Sequence, residues 1–65
     1  MEEKTCLNIQ LITIEDKFGE LTFKPGFEYQ VDIYPLFSCV YNNGGWKDYF
    51  FFPNHEFNKY FQIID

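Results

Sequence analysis

One histidine, His55, two cysteines, Cys6 and Cys39, and ten carboxylates are the groups in this 65-residue chain that could carry chemistry. A thiol attacks as its thiolate, and a nearby imidazole can serve as its base, so Cys39 with His55 is the nucleophile–base pair on offer. The surroundings point elsewhere. His55 follows Asn54, a helix-capping residue type, and Cys39 lies in the apolar run "LFSCVY", which describes a capped surface imidazole and a buried thiol. Structural zinc takes four ligands, and the chain has three Cys and His residues in all. Among the carboxylates, Glu15 and Asp16 are neighbours in a polar stretch. Glu28 and Asp32 are four positions apart on a strand pattern, which sets them about 13 Å apart, too wide for a glycosidase pair. Neither a P-loop nor GxGxxG occurs, and "NNGG" is a turn rather than a phosphate cradle. The sequence therefore predicts no catalytic residue, no metal site and no cofactor, and the chain does not read as an enzyme.

Composition sets the frame in which these residues must sit. A chain of 65 residues makes one domain, residues 1–65, and hides only about 60% of the surface its unfolded form exposes. Nine Phe, five Tyr and one Trp offset that limit, because each buried ring removes about 150–250 Å² from water. Ten acidic residues against five lysines and no arginine give a formal charge of −5. A chain without guanidinium forks or a basic stripe is a poor direct binder of nucleic acid. Two cysteines are too few for a secreted disulfide framework, and "MEEKTCLNIQ" has neither a basic nor an apolar leader region. Nor does any run approach the length of a membrane span. The expectation is a cytoplasmic protein with reduced, buried thiols, the alternative being a Cys6–Cys39 bridge.

The elements follow from period and punctuation. "TCLNIQLITI" alternates with Leu7, Ile9 and Leu11 on the inward face, "EDKFGE" reads as a loop, and "LTF" is a strand with Leu21 and Phe23 inward. In "KPG", Pro25 and Gly26 suit the two central positions of a type II turn. "FEYQVDIY" then alternates most clearly, with Phe27, Tyr29, Val31 and Ile33 inward and Glu28, Gln30, Asp32 and Tyr34 outward. Pro35 marks an edge or bend. "LFSCVY" and "WKDYFFF" flank the Asn-Asn-Gly-Gly tip of a hairpin. Asn54 is expected to cap one short helical turn near Asn54 to Phe61, and "FQII" to return as a last strand beside the first. Five or six short strands in so few residues predict an all-β fold, a small barrel with few exposed edges.

"GELTFKPGFEYQV", the glycine-bearing hairpin and "YFFFPNHEFNKYFQII" together resemble the SH3-like small barrels found among short proteins of bacteriophages and other mobile elements. The resemblance covers roughly residues 5 to 64 and rests on turn and core signals. It implies a bacterial target, such as a nuclease or another component of host defence. Trp46 and Pro53 also invite comparison with the polyproline groove of eukaryotic SH3 domains. The chain lacks an "ALYDY"-like segment, however, and carries Phe57 where that groove has a tyrosine.

Two functional readings differ in class. In the first, the chain is a small acidic interaction protein that binds and inhibits or modulates a protein with a basic surface. Tyr34, Tyr41, Trp46 and Tyr49 would supply amphipathic rings, and Glu28, Asp32 and Asp48 would meet positive charge. In the second, the barrel binds a small ligand, nucleotide or oligonucleotide by stacking on exposed rings, which requires Lys24, Lys47 and Lys59 to converge near Trp46 and Tyr49. Either state of assembly, a monomer or a dimer paired through a sheet edge, is compatible with the sequence.

Overall fold

The computed structural model describes residues 2–17, 19–42 and 48–65. Seven strands and one helix follow in the order β1 (Glu2–Asn8), β2 (Ile12–Asp16), β3 (Gly19–Phe23), β4 (Glu28–Ile33), β5 (Phe37–Tyr41), β6 (Tyr49–Pro53), α1 (Asn54–Tyr60) and β7 (Phe61–Ile63). Five of them form an antiparallel sheet in the order β6-β5-β4-β1-β7, and β2 and β3 form a separate two-stranded ribbon. The fold is thus mostly β with one short helix near the C-terminal end. Two expectations are corrected. The described residues form seven strands rather than five or six, because "TCLNIQLITI" is two strands, parted where the chain turns between Asn8 and Ile12; the ends of "EDKFGE", expected as a loop, also join the ladder, Glu15 and Asp16 pairing with Glu20 and Gly19. Nor is the ladder closed into a barrel, since β6 and β7 end the sheet and the ribbon pairs only with itself.

The turn after β3 forms as its residues dictate. Gly26 takes φ +87°, and the Phe27 amide donates to the Lys24 carbonyl at 3.3 Å. That turn also stitches to the end of β1. Asn8 donates its amide to the Phe27 carbonyl at 3.0 Å and accepts from the Gly26 amide at 2.9 Å. Two face assignments change as a result. Phe27 belongs to the turn, one residue ahead of β4, so the alternation of the strand does not reach it, and it is 59% exposed. In β1 the buried residues are Cys6 and Asn8, whereas Ile9 and Leu11 lie beyond the strand, where the chain turns, and are exposed. The Asn8 Oδ1 accepts the Gln10 amide at 2.9 Å, which secures that turn.

Register places Cys6, Tyr29, Val31, Ile33, Val40, Phe50, Phe52, Phe61 and Ile63 on one face of the sheet. The ribbon lays Leu21 and Phe23 against that face, and Phe57 of α1 closes its end. Phe23 is fully buried and meets Tyr29, Phe52 and Phe61 edge-on, with centroids 5.0, 5.8 and 5.4 Å away. Edge-to-face contact brings the positive rim of one ring to the negative face of another, which adds to the gain from burial.

Asn54 is the first residue of α1 and does not cap it; Pro53 stands at the cap position without a side-chain bond. Its amide group is used across the fold instead. The Asn54 Oδ1 accepts from the Ser38 hydroxyl at 2.6 Å, and its Nδ2 donates to the carbonyls of Tyr34 and Pro35 at 3.0 and 3.2 Å. The bend between β4 and β5 is thereby tied to the start of the helix.

Stability differences follow from this packing. Val31→Ala empties a site with no exposure and should cost about 2 kcal/mol, whereas Phe27→Ala should change stability by less than about 0.5 kcal/mol. Equal shifts of the urea midpoint would contradict the placement of Phe27. Burial also pushes the Cys6 thiol up from 9.0 to about 12, so between those values the folded chain holds a proton that the unfolded chain has lost. Stability should therefore fall as pH rises from about 9 towards 12. Cys6→Ala should flatten that slope in urea melts at stepped pH.

Candidate functional site

The opposite face of the sheet has no layer over it among the described residues, and its β5–β6 half carries rings. The pairing Cys39↔Phe51 and Tyr41↔Tyr49 puts Phe37, Cys39, Tyr41, Tyr49 and Phe51 on this outer face. Tyr34 and Phe37 lie 4.9 Å apart between centroids, Phe37 and Phe51 5.4 Å, Phe51 and Tyr49 5.7 Å, and Tyr49 and Tyr41 6.3 Å. Five rings thus run as a continuous stripe. Phe37, Tyr49 and Phe51 are 39%, 44% and 50% exposed, while Tyr34 and Tyr41 are half-buried.

Beneath the stripe lies a polar contact. Tyr41 donates its hydroxyl to the Asp32 Oδ2 at 2.7 Å. Asp32 is only 8% exposed, which corrects its assignment as an outward steering charge: its side chain leaves the core side as expected and is then covered. Its second oxygen, Oδ1, is buried and has no hydrogen-bond partner. The hydrogen bond to Asp32 holds the proton on Tyr41 and raises the pKa of that hydroxyl, and contact with Cys39 adds to the effect. Burial raises the Cys39 thiol in turn, opposed in part by the Tyr41 hydroxyl and reinforced by the Asp32 charge. Cys39 is a buried, protonated, unbridged thiol, as is Cys6. His55 is exposed on α1.

A groove of about 740 Å³ borders the stripe where the outward face of the ribbon meets β4 and β5. Glu20, Lys24, Glu28, Tyr29, Tyr41 and Asn42 contribute to its wall. The Asn42 side-chain amide donates to the Thr22 carbonyl, and the Tyr29 hydroxyl accepts the Lys24 amide at 3.0 Å, so both ends of the groove are pinned to the ribbon.

Of the residues singled out from sequence, Tyr34, Tyr41 and Tyr49 fall on one surface, with exposed Glu28 and Asp48 near them. Asp32 supports that surface from below. Trp46 lies outside the described residues, as does Lys47. Phe37 and Phe51 were not singled out, although a signal existed: in "YFFF" the half-buried Phe50 and buried Phe52 alternate with Tyr49 and Phe51, so one ring set had to face outward. No family model, no curated protein and no solved structure matches the chain.

The Tyr41–Asp32 contact can be weighed by a double-mutant cycle. Tyr41→Phe leaves a buried carboxylate without its donor and should cost about 1–3 kcal/mol. In the background of Asp32→Ala the same change should cost clearly less, with coupling of about 1 kcal/mol or more in urea melts. Additive costs would show that the bond contributes nothing to the fold.

Proposed function

We propose that this chain is a small acidic interaction protein whose aromatic stripe docks on a basic macromolecular surface and blocks it. The observation that carries the reading is the five-ring stripe, with Phe37, Tyr49 and Phe51 exposed, on a sheet face that nothing covers among the described residues. Rings that combine area with few rotatable bonds are the usual anchors of an interface, and a contiguous exposed patch of them marks a surface built for contact. Exposed Glu3, Glu28 and Asp48, within a chain of formal charge −5, supply the complementary charge for a basic partner. A surface that ordinarily holds nucleic acid fits that chemistry, because carboxylates compete there with phosphates. The order of elements supports a small SH3-like architecture: a hairpin after β1, a three-stranded meander, one helical turn, and a last strand beside the first. With that resemblance the proposal extends to a phage- or mobile-element-borne protein acting in the bacterial cytoplasm on a host protein such as a nuclease.

A second reading rests on the groove. Its size suits a small ligand, and Tyr29 and Tyr41 offer ring surface, but two carboxylates against one lysine disfavour an anionic nucleotide.

The test is kinetic, on a partner captured from bacterial lysate and then purified. Tyr49→Ala or Phe51→Ala should speed dissociation by about 10-fold or more. Reversing Glu28 and Asp48 to lysine should slow association, and raising salt should do the same. A complex indifferent to the ring truncations, the charge reversals and salt would reject the stripe as the docking surface.

A further inference from the structure

The stripe ends at the free edge of the sheet, and the backbone there is itself a binding element. The Asn42 amide donates to the Asp48 carbonyl at 2.6 Å, which makes 42 and 48 a hydrogen-bonded pair of the β5–β6 hairpin. In an antiparallel ladder such pairs alternate with non-bonded ones. Val40↔Phe50 and Ser38↔Phe52 are therefore the bonded pairs, while Tyr41↔Tyr49 and Cys39↔Phe51 are not. The amides and carbonyls of Tyr49 and Phe51 consequently point away from β5, towards the open side, and no described residue bonds to them there. Pro53, the next residue of that set, has no amide to offer and ends the row.

The other strand edges differ. At the far end of the sheet β7 has only three residues. The outward face of the ribbon carries Thr13, Glu15, Glu20 and Thr22. The β6 edge is short, but it is flanked by exposed rings and, among the described residues, leaves the amides and carbonyls of Tyr49 and Phe51 unpaired and in register, which makes it a template for another strand.

We infer that β6 recruits an extended segment of the partner as an added strand, a basic one that alternates Lys or Arg with apolar residues. This rests on the docking reading above and specifies its form. Side chains of the added strand that project on the outer face come beside Tyr49 and Phe51, where a cation can sit over an electron-rich ring with the exposed Asp48 carboxylate close by. Those on the opposite side come beside Phe50 and Phe52, where apolar residues extend the core face. A second copy of this chain would satisfy the same backbone groups but brings another formal charge of −5, so charge complementarity selects the basic segment.

An eight-residue peptide alternating lysine and valine, capped at both ends, serves as probe for the full chain. At saturation the Tyr49 and Phe51 amides should exchange at least 10-fold more slowly by NMR, and a glutamate–valine peptide should bind at least 10-fold more weakly. A full-length chain ligated at Cys39 with N-methylated Phe51 keeps every side chain and the β5–β6 bonds, and should lose the peptide while its melting profile is unchanged. Phe51→Ala, which keeps the amide, should weaken binding without abolishing the protection of Tyr49. Unprotected Tyr49 and Phe51 amides at saturation would overturn the strand assignment. So would protection that grows with the concentration of the chain alone, which would assign the edge to a second copy. A captured partner that is lost on ring truncation but tolerates N-methylation would keep the docking surface and overturn only the added strand.

Discussion

The ring of Phe23 joins what the hydrogen-bond ladders leave separate. Backbone pairing builds two independent units, a five-stranded sheet and a two-stranded ribbon, with no ladder between them. Phe23, at the end of the ribbon, reaches Tyr29 of β4, Phe52 of β6 and Phe61 of β7, and so spans nearly the full width of the sheet. Domains of this size have total stabilities of about 3–10 kcal/mol, so one such junction is a large part of the whole. The aromatic excess of the sequence is in part a consequence of length: only large side chains can span the distance between two layers with so few residues.

That same economy shapes the outer surface. Once Phe50 and Phe52 face the core, alternation sends Tyr49 and Phe51 outward, and their pairing with Tyr41 and Cys39 lines rings up across β5. The Asp32–Tyr41 bond lies under this stripe and orients one of its rings. An unsatisfied carboxylate oxygen beneath an exposed aromatic surface is costly in isolation, and it is tolerable where the rest of that carboxylate is firmly bonded. Stripe, buried Asp32 and open β6 edge therefore belong to one region, made by the neighbouring strands β4, β5 and β6, which serve the core on one face and carry these groups on the other.

Local signals were legible wherever local chemistry decides the outcome. Proline and glycine in "KPG" specify the turn that forms, period two identifies β3 and β4, the Asn-Gly signal between "LFSCVY" and "WKDYFFF" pairs β5 with β6, and the apolar spacing after Pro53 marks a single helical turn followed by a strand back to β1. Tyr34, Tyr41 and Tyr49 could be chosen because a phenol tolerates water at one end and burial at the other.

Tertiary structure alone decided where alternation starts and stops, since that depends on which backbone groups are already bonded. Phe27 reads as the first inward residue of β4, yet its carbonyl is taken by Asn8 and its amide by Lys24, so it stays in the turn and in solvent. Asn54 has the side chain of a helix cap and spends it on Ser38, Tyr34 and Pro35, residues about 16 to 20 positions away that no local pattern links to it. Asp32 reads as a surface charge and is covered by a ring from the neighbouring strand. In each case residue type and period stated what the side chain could do, and contacts distant in sequence determined which of those possibilities the fold used.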